Sequence, residues 1–282
     1  MLRIAARCHK KDFQDNYNND VKDIEKMYRD IKYLLKEEKD ISLYRYRTIN
    51  PYAKKEIEQK QIFMNVPSKF DDLFDSNFVV DIKSPDDDLA PRFHALYVSK
   101  YMEENLHGIS SEGGTNGWDA YFKCINKDID NIIRVSSLSE DYKNIPLWYY
   151  YANEHKGICI EYSLKEIVNN LRENEYIMPV VYTDNYFKYN PATAYTPEKT
   201  KMSVQANVLV KHDSWAFEKE WRIVQVCNGH FKEYTETIPI KSITFGLKVD
   251  EYDKRELKNL NKKTDFYELK RTCYGLKRVK VN

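Results

Sequence analysis

An α+β fold with a mixed, largely antiparallel sheet is what this 282-residue sequence predicts. Three observations lead there. Strand and helix patterns intermix without a regular βαβ repeat. The last third strings five strand-like runs around a single helical one. Glycine is rare, at 8 residues, with no GxGxxG and no GxxxxGK[ST], which removes the phosphate-cradling loops of Rossmann and P-loop folds.

The elements follow in chain order. Residues 1–18 read as a polar arm. From the Asn19/Asp20 cap, Val21, Ile24, Tyr28, Ile31 and Leu35 recur at helical spacing, which predicts an amphipathic helix ending near Asp40. SLYRYRTI alternates as a strand. Asn50-Pro51 opens a short helix, with Asn as cap and Pro in the first turn. QIFMN reads as a strand, and PSKFDDLFDSNF as an acidic, aromatic loop. Residues 84–132 carry two helical patterns around HGISSEGGTNG, so a helical insertion is expected there, with residues 1–40 as an arm and helix and 41–282 as one domain.

IIRVSSLSE is a strand entering a loop. Pro146 starts an aromatic helix, PLWYYYANEH, and Gly157 precedes strand ICIEY. A helix over 163–173, strand IMPVVY, a polar loop and a helix over 198–212 come next. WRIVQV, TETIPI and SITFGL are then strands, 250–262 is a helix, and DFYELKR and GLKRVKV pair at the end.

Composition excludes several classes. Lys plus Arg is 45 against 44 Asp plus Glu, so no polyanion partner is advertised by the whole chain. No apolar run is long enough to span a bilayer, and the opening MLRIAARCHKKDF lacks a signal-peptide core. The 5 cysteines are scattered, with no CxxC, which fits a reduced, cytoplasmic setting. HExxH, GxSxG and zinc-spaced His/Cys clusters are absent.

Several pieces together resemble a bacterial family catalogued as domain-of-unknown-function family 2971: LYRYR, IFMNVPSKFDDLFDSNF, VSSLSED, PLWYYYANEHKGICIEYS, PVVYTDN and WAFEKEWRIV. They stand in that family's order and cover roughly residues 40–250. A looser likeness is to ADP-ribosyltransferases. Arg47, then Ser137 and Ser139, then Glu218-Lys219-Glu220 resemble the Arg, Ser-x-Ser and Glu-x-Glu elements of those enzymes, although the middle element here is SSLS. That resemblance implies a split sheet, NAD as substrate, and transfer of ADP-ribose to a macromolecular acceptor, protein or nucleic acid. For a bacterial protein it also implies a role as toxin or phage-defence effector, with an inhibitory partner protein.

The chemistry explains why such residues are wanted. Breaking the nicotinamide–ribose bond leaves an oxocarbenium-like ribose, which a fixed carboxylate stabilises. Glu220 is the candidate. Glu218, two residues earlier in an extended segment, is expected on the same face to orient or deprotonate the acceptor. With no glycine loop, the pyrophosphate needs a planar guanidinium, and Arg47 is assigned to it, with Arg45 expected on the strand's other side. Ser137 and Ser139 are placed at the ribose. Trp148 and Tyr151, with Tyr149 and Tyr150, are assigned to stack against the rings.

Blander readings stand beside these. Glu220 and Arg222 also fit a structural ion pair packed over Trp215 and Trp221. Arg47 fits a sheet-surface residue, the serines fit turn residues, and the WYYYA run fits core. His155 fits a helix-end partner. Asp71, Asp72 and Asp75 give an alternative, a metal-dependent nuclease. A non-catalytic module sensing a nucleotide or protein is the other.

Overall fold

The computed structural model describes residues 40–72, 74–76, 130–131, 133–183, 208–226 and 231–281. The expected N-terminal helix lies outside them, as does the helical insertion apart from its last residues.

The fold is α+β, built on an eight-stranded, mostly antiparallel sheet. Its strands are β1 (Ser42–Arg47), β2 (Ile133–Ser139), β3 (Ile158–Ser163), β4 (Glu175–Pro179), β7 (Glu220–Val226), β8 (Ile240–Phe245), β9 (Asp265–Thr272) and β10 (Gly275–Val281). They run in the order β10-β9-β8-β3-β1-β2-β7-β4, with β8 and β9 parallel. Two further strands, β5 (Val181–Thr183) and β6 (Val210–His212), pair in parallel as a separate small sheet. The helices are α1 (Pro51–Gln59), α2 (Ile145–Tyr150), α3 (Leu164–Asn170) and α4 (Glu251–Leu260). Asn50, Asn144, Ser163 and Asp250 cap them through side-chain acceptors.

The sheet parts in its middle. Every residue of β1 is registered with β3, from Ser42 opposite Ser163 to Arg47 opposite Ile158. Against β2, β1 is registered at Tyr44 and Ser139 alone among the described residues. Upstream of that point β2 pairs elsewhere, and Asn65 exchanges both backbone hydrogen bonds with Val135 at 2.8 Å. Arg45 fills the gap: its Nη1 donates to the carbonyl of Ser137 and the hydroxyl of Ser136, its Nη2 to the carbonyl of Phe63. A buried backbone oxygen left without a ladder partner costs roughly 1–3 kcal/mol, so a guanidinium is a fitting plug.

Leu43, Arg45 and Arg47 lie on one face of β1, since side chains repeat every second residue. Both arginines reach Glu56 of α1, which corrects the expectation that Arg45 points the other way. Tyr44 and Tyr46 face a second apolar cluster with Leu147, Trp148, Leu269 and Leu276.

Local differences from expectation have local causes. IMPVVY divides at Pro179 and Val180 between β4 and β5, which belong to different sheets. Of the helix expected over 198–212, residues 210–212 form strand β6, where Val210 pairs with Val181; tertiary pairing overrides a weak helical pattern. TETIPI is irregular up to Ile240, because Pro239 brings no N–H to a ladder. The helix after Pro146 stops at Tyr150, and Asn153, Glu154 and His155 take left-handed conformations.

Gly157 makes that turn close. A Cβ there would stand 2.2 Å from the carbonyl oxygen of Arg47 and 2.9 Å from that of Ala152. Gly157→Ala is therefore expected to destabilise the fold by about 2 kcal/mol or more. Urea denaturation measures it, and a loss under 0.5 kcal/mol, small against such overpacking costs, would show that the turn yields freely.

Candidate functional site

A cavity of about 310 Å³ opens where β1 and β2 diverge. Arg47, Ser137, Ser139, Tyr151, Glu218 and Glu220 all line it, although they come from four separate stretches of chain. Trp148 does not. It is fully buried in the second cluster, with its indole N–H donated to the Tyr142 carbonyl and its ring edge-on to Tyr46 at 5.1 Å. Tyr149 and Tyr150 point to solvent. The aromatic lining comes instead from Phe63 and Phe70, together with Tyr151.

The acidic wall is a turn. Residues Asp213–Glu218 form a 3-10 helix, Lys219 takes a left-handed conformation at φ 47°, and Glu220 begins β7. Glu218 is thus outside the extended segment, and its carboxylate meets that of Glu220 by the bend of the chain rather than by strand alternation. Ser139 secures the bend, donating its hydroxyl to the Glu218 carbonyl at 2.6 Å and accepting from the Asp141 N–H. Its hydroxyl serves backbone and positions the carboxylate.

Five buried charges gather here: Asp75, Lys211, Glu218, Glu220 and Arg222. Arg222 uses every N–H it has. Its Nε donates to Glu220 Oε1 at 2.8 Å and Nη2 to Glu220 Oε2 at 3.1 Å. Asp75 takes the outer fork, and the Val208 carbonyl takes the last N–H at 2.6 Å. Lys211 reaches Glu218 at 2.6 Å and Glu220 at 3.3 Å, and Tyr151 donates its hydroxyl to Glu218 at 2.9 Å. Three carboxylates against two cations leave one negative charge in excess.

The two glutamates respond in opposite directions. Burial pushes both carboxyls up. For Glu220, Arg222 and Lys211 more than offset it, helped by the Ser137 hydroxyl, and the group is held at about 2. For Glu218, repulsion from Glu220 adds to burial, Lys211 and Tyr151 oppose less strongly, and the group stays above its ordinary value. Two carboxyls driven apart by their surroundings are the usual sign of divided acid–base labour.

The sign of the linkage follows. A carboxyl lowered from 4.5 to about 2 contributes stability that is present above pH 4.5 and lost as pH falls toward 2. Glu218 acts oppositely, contributing most below its ordinary value and less as pH rises through the raised one. Unfolding free energy is expected to fall by about 3 kcal/mol, in order of magnitude, on acidification across the Glu220 window. Glu220→Gln should flatten that limb in urea titrations at stepped pH. Parallel limbs in both proteins would remove Glu220 as the source.

The opposite wall is cationic. Glu56, fully buried, is shared by Arg45 at 3.1 Å and by Nε of Arg47 at 3.1 Å, so two positive charges face one negative. Nε of Arg47, although this close to Glu56, is buried without a hydrogen-bond partner among the described residues. Burial, then repulsion from Arg45, weakens the hold of Arg47 on its proton, a strain that a bound anion would relieve. Lys69, exposed at the rim, adds a further cation.

The three loop aspartates do not converge as a set. Both oxygens of Asp75 are on Arg222, and Asp72 accepts from the N–H of Phe74 within its own turn. Among the described residues no three His, Cys, Asp or Glu side chains cluster as a metal site. No described helix is long and apolar enough to cross a membrane.

Sequence reasoning missed Glu56, Lys69, Asp75 and Lys211 as parts of this site. Glu56 was readable in principle, as a glutamate on the inner face of a helix beside Ile57. Lys211 carried no signal that its spacing could show.

Residues 147–223 match a family model described as "Protein of unknown function (DUF2971)". That span includes Tyr151, Lys211, Glu218, Glu220 and Arg222 and leaves out Arg47 and Ser137. No curated protein and no solved structure matches the chain.

Proposed function

We propose that this protein is an NAD-consuming ADP-ribosyltransferase, and that the cavity between β1 and β2 binds NAD. The observation that carries this is the site's two-ended charge. One end holds an excess positive charge on Arg45, Arg47 and Glu56, and the other an excess negative charge on the five-group cluster. NAD matches both ends, with an anionic pyrophosphate and a cationic nicotinamide ring.

In this reading Arg47, with Lys69, takes the pyrophosphate, and the aromatic lining takes the flat rings. The bond between the anomeric carbon and the nicotinamide nitrogen breaks, and its electron pair leaves with neutral nicotinamide. Glu220, ionised at any physiological pH, stabilises the ribosyl cation without itself needing a proton. An acceptor O–H or N–H then bonds to the anomeric carbon, and Glu218 takes its proton. Ser137, half-buried between the two walls, is placed to bond the ribose. A transferase of this kind in a bacterium fits a toxin or defence effector whose acceptor is a macromolecule.

A second reading is favoured by one feature. Both oxygens of Glu220 are already held by Arg222 and Lys211, which suits a rigid nucleotide-binding module without turnover. One experiment separates the two. Purified protein is incubated with NAD and candidate acceptors, and released nicotinamide is measured beside binding by calorimetry. Nicotinamide release supports the transferase, binding without release supports the module, and neither removes both.

A further inference from the structure

One rung of the small β5–β6 sheet, Tyr182 opposite Lys211, delivers two polar groups onto the Glu218–Glu220 turn. The Tyr182 hydroxyl accepts from the N–H of Glu220 at 2.9 Å. The Lys211 ammonium, buried, lies 2.6 Å from Glu218 Oε2, 3.3 Å from Glu220 Oε2 and 3.5 Å from Asp75 Oδ2, with the Trp215 ring 5.0 Å away. It donates hydrogen bonds to both glutamates and pairs with Asp75 at longer range. The reaction outlined above does not use it.

We propose that Lys211 is a positioning residue that keeps Glu218 ionised and so able to take a proton, while Glu220 is held by Arg222. The catalytic consequence rests on the NAD reading; the protonation itself does not. The two glutamates are unequally supplied. Glu220 has Arg222 on both oxygens in addition to Lys211, whereas Glu218 has Lys211 as its one cation among the described residues, with the Tyr151 hydroxyl on its other oxygen.

The charged and titratable groups around Glu218 can be named by element. Glu220 and Arg222 come from β7, Lys211 from β6, and Tyr182 from β5. Tyr151 follows α2, and Asp71 and Asp75 come from the loop after Lys69. Without Lys211, Glu218 sits near two buried carboxylates with no cation of its own. It would then hold its proton more tightly and accept one less readily from the attacking group. Glu220 would remain ionised on Arg222. The small sheet is therefore a clamp that keeps the base available.

The test is a carbon-13 NMR titration of glutamate carboxyls in full-length protein. The two signals are assigned by their loss in Glu218→Gln and Glu220→Gln. In Lys211→Met the Glu218 midpoint is expected to rise by about one pH unit or more, the loss of one close opposite charge. Glu220 should stay low, and Lys211→Arg should keep Glu218 near its wild-type midpoint. Nicotinamide release at pH 7 should drop about tenfold in Lys211→Met and recover as pH is raised, with KM for NAD little changed.

An unmoved Glu218 midpoint in Lys211→Met overturns the proposal. If wild-type protein releases no nicotinamide, the NAD reading fails while the titration still decides the role of Lys211. If Lys211→Met does not fold, the double variant with Glu218→Gln decides. Recovery of folding supports the pairing, and an equally unfolded double variant overturns it.

Discussion

Glu220→Gln is expected to lower nicotinamide release from NAD by about 10²–10³-fold while the protein remains folded. The size follows from replacing a full negative charge by a neutral amide at a buried position, where electrostatic stabilisation of a developing cation is strongest. The fold is expected to survive because Arg222 keeps its fork on Asp75 and its bond to the Val208 carbonyl. Charges also stay balanced, since Asp75 and Glu218 still face Lys211 and Arg222. Initial rates of nicotinamide release, compared with thermal melts of both proteins, measure the two halves of this statement. Release within threefold of wild type would assign Glu220 to structure alone.

Arg222→Met is expected to have the largest effect on stability, a loss of about 3–5 kcal/mol, which for a domain of ordinary stability approaches unfolding. The substitution leaves Asp75, Glu218 and Glu220 buried around Lys211 as their one remaining cation within the network. Each stranded carboxylate must either protonate or draw in water, and both cost free energy. The midpoint of urea denaturation reads the loss. Adding Asp75→Leu should recover part of it, because the stranded charge is removed together with its partner. If the single substitution costs under 1 kcal/mol, against the several expected of a broken buried pair, the network holds nothing together.

The stretch EKEWR shows how these two roles meet. Its residues read either as carboxylates facing a cleft or as a structural ion pair, and Glu220 both lines the cavity and pairs with Arg222. Glu220 is locked to Arg222, and the same lock is what keeps its carboxylate ionised beside a cavity. Ser137 and Ser139 divide in a similar way. Ser137 remains at the cavity between Glu220 and the gap, while Ser139 spends its hydroxyl on the backbone of the turn. Tyr151 reaches the site, but Trp148, three residues earlier and on a different side of α2, anchors the helix to the core.

A resemblance singled out Arg47, Ser137, Glu218 and Glu220, which line the cavity; by itself, the sequence determined the fold class and most of the described strands and helices. These depend on caps, turn residues and side-chain period, which act over a few neighbours and can be read along the chain. Only the tertiary structure decided the parting of β1 from β2, the sharing of Glu56 by two arginines, and the cations that set the protonation of the acidic pair. Arg222 finds Asp75 across 147 residues of chain, and Tyr182 meets Lys211 on a rung that joins residues 29 apart. Periodicity states which face a residue occupies, but the partner across the cavity is chosen by strand pairing and by the cost of leaving a buried charge alone.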